Sequence, residues 1–300
     1  MATQHEIDYS YTTMDKIWRL SVGEMADFTG ARYNGDFSLS LEEAQKRKHD
    51  FILEHLNIKA GSKVLDIGCG WGPVLNRLRN ADAKGTGITL SQGQYRACKQ
   101  KGFDVHIKNY RDLIPSSFGT FDAVISVGAF EHFCSVDEYK AGKQDEVYQN
   151  FFKRVNDILP AGGRCFIQTM VFENGMIPLE AFDINAPKDS NEYLMALIMN
   201  EFPGSWLPYG KEQIILNAAP YFNLVTEHSG KLDYIETINV WRKRLTSFGV
   251  KKYLAYLSLL PRFITDASMR KRLDNLKIAP IKVAFERGIW DHYRLVFEKK

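Results

Sequence analysis

Two hydrophobic periods share the chain. KVLDI (63–67), GTGIT (85–89), DVHIK (104–108), FDAVIS (121–126) and RCFIQTM (164–170) are apolar runs of strand length, and between them residues 91–101 and 145–159 carry apolar positions at helical spacing. In the second of these helices Tyr148, Phe151, Phe152, Val155 and Ile158 fall on one face, and PAGG (160–163) ends it. Ahead of the first strand, SLEEAQKRKHDFILEHL (40–56) reads as a helix opened by a capping box, Ser40 followed by Glu43. Strands alternating with helices predict an α/β fold. After residue 170 the alternation stops. Residues 171–220 are rich in Met, Leu, Pro and aromatics without a sheet period, which predicts a mostly helical cover. FNLVTEHS (222–229) and WDHYRLVFEK (290–299) return to the sheet, with a basic helical stretch at 237–285 between them. The expected organisation is one domain over 1–300. It has N-terminal helices at 1–57, a core at 58–170, a cover at 171–220 and 237–285, and sheet returns at 221–236 and 286–300.

Composition narrows the class. The 300 residues, 45% of them apolar, suffice for one large domain with a sizeable core. No run approaches the roughly 18 apolar residues of a membrane span, and MATQHEIDYSYTTMDK has no basic start before an apolar stretch. A soluble, cytoplasmic protein is expected. Cys69, Cys98, Cys134 and Cys165 have no metal-type spacing and are too few for a disulfide scaffold, so reduced, buried thiols and no metal are expected. The net charge of +3 is uneven: residues 241–300 hold 15 Lys and Arg against 5 Asp and Glu. That segment reads either as an ordinary solvated helix face or as a surface for anionic lipid headgroups, an acidic acyl carrier or nucleic acid.

VLDIGCGWG (64–72) carries the first chemistry. A strand ends at Asp66 and runs into glycines at 68, 70 and 72, which let the backbone turn sharply and approach a ligand closely. A dinucleotide site would place a carboxylate at the end of the second strand for the ribose. That strand ends instead in ITLSQGQ (88–94), where Thr89 and Gln94 offer neutral hydrogen bonds or simple helix capping. The pattern favours S-adenosylmethionine over NAD.

With GITLSQGQ, NYRDL, FDAVISVGAFEHF, EFPGSWLP (201–208), DYIETINVW (233–241) and AFERGIWDHYRLVFEKK, the sequence resembles the class I S-adenosylmethionine-dependent methyltransferases. Within them it resembles the cyclopropane fatty acid synthase and mycolic acid cyclopropane synthase family. The resemblance implies a Rossmann-like sheet of seven strands with helices on both faces, and an inserted helical cover forming an acyl-chain tunnel. It puts Gly68, Gly70 and Gly72, after Asp66, against the methionine and ribose of S-adenosylmethionine. Thr89, Leu90 and Gln94 would hold the ribose side, and Tyr110 with Arg111 would flank the adenine. Phe28 and Thr29 stand where the family has a Tyr-Ser pair that closes over the cofactor. In the family's reaction an alkene carbon takes the sulfonium methyl and the resulting cation loses a proton, with bicarbonate held by a Cys, a Glu, a His and a Tyr. Glu131 matches the Glu and Tyr234 the Tyr, with Trp241 seven residues on. Glu131 could otherwise cap the helix after strand four. His132 turns away by strand and turn alternation and reads as a packing or hydrogen-bonding residue.

Two positions depart from the family: Gly30 replaces its Cys and Gln168 its His. Half the cage is missing, which places bicarbonate, and cyclopropane as product, in doubt. An insertion including SVDEYKAGKQDE (135–146) either reshapes substrate entry or extends a surface loop. Cys134 reads as a buried inert thiol. The leading expectation is methylation of the double bond of an unsaturated acyl chain, with Glu131, Tyr234 and Gln168 at the reaction centre, since the cover segment MALIMNEFPGSWLPY (195–209) suits an apolar tail. The alternative is a small-molecule methyltransferase of the coclaurine N-methyltransferase type, which needs no bicarbonate. Intact glycines together with Glu131 and Tyr234 speak against a binding protein without turnover, and the motif that holds a flipped base is absent after strand four.

Overall fold

The computed structural model describes residues 21–247 and 279–300, except Pro203 and the Ser117 side chain, with isolated helical positions at 257, 261, 264 and 265. The expected N-terminal helices before residue 21, and most of the basic stretch and of the 237–285 cover, lie outside the described residues.

The sheet has seven strands in the order β3-β2-β1-β4-β5-β7-β6. They are β1 (Lys63–Ile67), β2 (Lys84–Thr89), β3 (Asp104–Ile107), β4 (Ala123–Val127), β5 (Arg164–Phe172), β6 (Phe222–Ser229) and β7 (Trp290–Lys299). β1 to β5 pair in parallel, and β7 runs antiparallel between β5 and β6. Every residue of β4 is buried, as a parallel strand covered on both faces requires. The edge strand β6 alternates inward and outward instead.

The helices begin with α1 (Leu41–His55), whose capping box joins Ser40 and Glu43. Then come α2 (Pro73–Arg79), α3 (Gln92–Gln100), α4 (Pro115–Phe118), α5 (Val136–Lys140) and α6 (Gln144–Ile158). On α6 the aromatic stripe Tyr148, Phe151 and Phe152 is buried and packs on Phe130, Phe222 and Phe297. The segment 135–146 forms α5 and the start of α6, and a capping box of Ser135 with Glu138 opens α5.

Three boundaries differ from expectation. β5 runs two residues past Met170, because Val171 and Phe172 still pair with Asp291 and Trp290 of β7. The strand return at 221–236 ends at Ser229. There Gly230 donates to the His292 carbonyl oxygen, and α9 (Lys231–Thr246) begins, so Tyr234 lies on a helix. Within residues 171–220, α7 (Asn191–Glu201) packs against the helix at 280–286, and α8 (Gly210–Ala218) packs beside α6 against β5 and β6. α8 is therefore a crossover helix of the sheet. α10 (Pro280–Glu286) packs against α7, α9 and β7.

The strand order reverses between β1 and β4, which opens a crevice at their carboxyl ends. The glycine loop after β1 and the turn after β4 meet there. A Cβ on Gly68 would collide with that of Ala129, so the close approach requires glycine.

Candidate active site

Two adjoining cavities occupy the crevice. The first, about 910 Å³ up to its open mouth, is lined by Asp66, Gly68 and Gly70 from the β1 loop and by Thr89, Leu90 and Gln94 from the end of β2. Tyr110 and, from the N-terminal segment, Asp27, Phe28 and Thr29 complete it. Thr89 donates to Gln94 Oε1 at 2.8 Å. Asp66 is buried and its Oδ2 has no hydrogen-bond partner among the described residues. Burial, with the Asp27 carboxylate adding and Lys48 opposing, pushes Asp66 up to about 7.

Two expected cofactor residues stand elsewhere. Gly72 caps α2 and turns its Cα toward Phe103 and Cys98, where a side chain would meet the helix-sheet packing. Arg111 bonds Glu138 at 2.8 Å and the Phe133 carbonyl oxygen, so α5 holds it outside the residues lining the cavity.

Sequence reasoning missed the anchor beneath the loop. Asp27 Oδ2 accepts from Lys48 Nζ at 2.6 Å and meets His49 Nε2 at 2.7 Å, while Thr29 donates to Asp27 Oδ1 and accepts from Lys48. Burial alone would raise the Asp27 carboxyl, but Lys48 and His49 hold it well below the usual range. In sequence QKRKHD is only a charged part of the helix at 40–56; Lys48 and His49 are buried because the segment carrying Asp27 and Thr29 folds over them.

The second cavity shares Phe28, Gly128 and His132 with the first and is otherwise mostly apolar, walled by Met170, Phe172, Met195, Ile198 and Trp290. Glu131 and Tyr234 line it. Glu131 caps no helix: it sits in a 3-10 turn (Phe130–His132), its Oε1 accepting from Met170 N on β5 at 3.0 Å. Its Oε2 has no partner among the described residues. Burial, only partly offset by the amides of Glu131 and Met170 and the Thr169 hydroxyl, pushes Glu131 up to about 7. His132 does not turn away. The tight turn replaces strand alternation and brings it onto both cavities, Nδ1 to Ser205 Oγ at 2.7 Å, with burial holding it down to about 4. A third, apolar cavity shares Phe28, Phe202, Tyr234 and Ile281 with the second and reaches Ile238, Trp241 and Arg242. Phe28 stacks on Trp241 at 4.9 Å.

Gln168 is not brought into either cavity. Its Nε2 donates to the Gly30 carbonyl oxygen at 3.0 Å and its Oε1 accepts from Arg294 Nε at 3.2 Å. Arg294 also donates to Asp233 Oδ2 at 2.9 Å and to the Ala31 carbonyl oxygen at 2.6 Å. Asp233 Oδ1 accepts from the amides of Tyr33 and Asn34. Gln168 thus braces the segment that carries Phe28 and Thr29. Cys134 is buried, and burial pushes its thiol up to about 12.

The family pattern described as mycolic acid cyclopropane synthetase matches residues 1–255. The chain belongs to this family. Hydroxymycolate synthase MmaA4 of Mycobacterium tuberculosis is 29% identical over 244 residues, covering 76% of this chain and 77% of that protein. Cyclopropane mycolic acid synthase 2 of Mycobacterium leprae is 32% identical over 216 residues, covering 69% and 68%. The fold matches the solved mycolic acid cyclopropane synthase CmaA1, complexed with SAH and CTAB, with a TM-score of 0.78, 22% identity and 99% of each chain covered. The protein is accordingly an S-adenosylmethionine-dependent methyltransferase, and the first cavity suits that cofactor. The orphaned Asp66 oxygen is an acceptor for an ammonium group, and Gly70, with nothing within 4 Å of the place a Cβ would take, leaves open space above the loop.

Proposed function

We propose that this family member methylates the double bond of an unsaturated fatty acyl chain, giving a cyclopropane or methyl-branched product. The observation that carries this reading is the join between cavities. The cofactor cavity shares Phe28, Gly128 and His132 as wall residues with an apolar cavity lined by Glu131, whose Oε2 has no partner among the described residues, and that cavity shares Tyr234 with a third apolar space.

When bound, S-adenosylmethionine supplies an electrophilic methyl group. Asp66, Gly68, Gly70, Thr89, Leu90, Gln94 and Tyr110 would hold it, with Phe28 and Thr29 closing from above. The apolar walls keep water from a cationic substrate, and the faces of Phe28 and Tyr234 attract positive charge there. Glu131 offers an acceptor for the departing proton. The basic C-terminal fifth supports peripheral contact with an anionic headgroup or an acidic acyl carrier, and its Arg242 lies at the far end of the third cavity. Among the described residues no helix is long and apolar enough to cross a membrane. The family's lipid chemistry favours this reading over amine methylation.

The test is transfer of labelled methyl from S-adenosylmethionine to an extract, followed by separation of lipids from aqueous metabolites. Label in acyl chains with loss of alkene signal is expected. Label on a water-soluble amine would refute the reading.

A further inference from the structure

The residues that would form the family's bicarbonate cage do not fit that ion here. A Cβ on Gly30 would stand 3.0 Å from Cγ of Tyr234 and 3.2 Å from Cε1 of His292, closer than ordinary van der Waals contact, so a side chain there needs both rings to give by a few tenths of an ångström. Gln168 stands where the cage has its imidazole, but both polar atoms of its amide are engaged, one by the Gly30 carbonyl oxygen and the other by Arg294. His292, the nearest imidazole to Gly30, packs against the Tyr234 ring at 4.9 Å and lines none of the three cavities; burial first, then Arg294 and Lys48, hold it well below its ordinary value.

One proton acceptor remains where the substrate would lie. Among the described residues lining the second cavity, the titratable side chains are Glu131, His132 and Tyr234. His132 is a weak base, engaged through Nδ1 with Ser205. The β5 groups bonded to Glu131, the Met170 amide and the Thr169 hydroxyl, are neutral, and Arg294 of β7 is committed to Asp233.

We infer that Glu131 takes the proton directly and that this enzyme turns over without bicarbonate. After the alkene π pair has bonded to the methyl carbon, the sulfur–methyl bond breaking with its electron pair leaving on the neutral thioether S-adenosylhomocysteine, a C–H bond of that methyl breaks. Its electron pair closes the second C–C bond of the ring, and the proton passes to Glu131 Oε2, leaving a neutral cyclopropane and a carboxylic acid that solvent deprotonates before the next cycle. If the proton instead leaves a neighbouring chain carbon, the same acceptor gives the methyl-branched alkene. The identity of the proton donor rests on the lipid reading above; the absence of a bicarbonate site does not.

The experiment uses the full chain in two arms. In carbonate-free buffer under nitrogen, labelled methyl transfer to the accepting lipid fraction proceeds within about twofold of the rate with added bicarbonate; any larger stimulation overturns the inference. Glu131→Gln loses about 100-fold in both buffers, and restoration by bicarbonate overturns it. In the second arm, carbon-13 bicarbonate shows no protein-dependent line broadening. Saturable broadening that S-adenosylhomocysteine does not abolish would overturn the inference even if no lipid takes label, an outcome that by itself refutes the proposed function instead.

Discussion

Where α9 meets β7, the Asp233 and Arg294 side chains are 8% and 1% exposed and pair at 2.9 Å. Asp233→Asn changes one oxygen to an amide nitrogen. The remaining oxygen can still accept from Tyr33 and Asn34, but the new NH2 faces Arg294 Nη1, donor against donor, and the guanidinium loses its counter-charge. Breaking a buried pair by removing one partner costs about 3–5 kcal/mol. Arg294 keeps the Ala31 and Gln168 acceptors, so the lower end, about 3 kcal/mol, applies. In urea, with a slope of about 3 kcal/mol/M for a chain of this size, the midpoint should fall by about 1 M. Because the pair holds the backbone of residues 31–34, Phe28 and Thr29 lose their support over the cofactor cavity. Calorimetry should therefore show weaker S-adenosylhomocysteine binding. Adding Arg294→Met to Asp233→Asn should recover part of the lost stability by removing the stranded charge. A loss below about 1 kcal/mol with unchanged binding would mean that this ion pair does not hold the loop.

Glu131→Gln should lower turnover by about 100-fold while calorimetry finds cofactor affinity nearly intact, since Glu131 lines the second cavity and not the first; full activity would remove it from the reaction. Gly70→Val should fold, at a strain of about 1–2 kcal/mol for its φ of 55°, yet lose cofactor binding because the side chain branches into open cavity. Retained binding would place the cofactor elsewhere. Asp66 titrates at about 7 when folded and near 4 when unfolded, so the folded state holds the extra proton between these values. Asp66 should thus contribute a fall in free-protein stability on the order of 4 kcal/mol as pH rises from about 4 to about 7, beside a fall of the same sign from Glu131, and Asp66→Asn should reduce that slope without abolishing it; identical slopes in urea titrations would contradict the burial argument.

The central strands announce themselves in the sequence as short apolar runs, because strands covered on both faces need continuous hydrophobicity, whereas the edge strand β6 is legible by its alternation. What escapes is whatever depends on a distant partner. Val171 and Phe172 extend β5 because β7 is there to pair with them. α8 carries apolar residues without a decisive period, and α6 assigns it to the sheet flank. The glycine loop is legible as one contiguous motif. Lys48 and His49 are not, since two charged positions in a charged helix give no sign that Asp27 will be folded over them.

Gly30 and Gln168 look in sequence like two independent losses from one cage. Their chemistry is set by the antiparallel register that puts Gln168 opposite Arg294, 126 residues on, and no local pattern encodes that pairing. In the fold the two positions form one unit. The Gly30 carbonyl oxygen is the acceptor for Gln168 Nε2, and the missing Gly30 side chain is what admits the Tyr234 and His292 rings. Returning cysteine to position 30 alone presses its Cβ on those rings, which must give by a few tenths of an ångström. Returning histidine to position 168 alone trades the amide that spans Gly30 and Arg294 for a ring with one donor and one acceptor fixed on opposite sides, beside a buried guanidinium that disfavours its cationic form. Neither single reversion rebuilds an anion site, because the space and the hydrogen bonds such a site needs are already used to hold the loop over the cofactor.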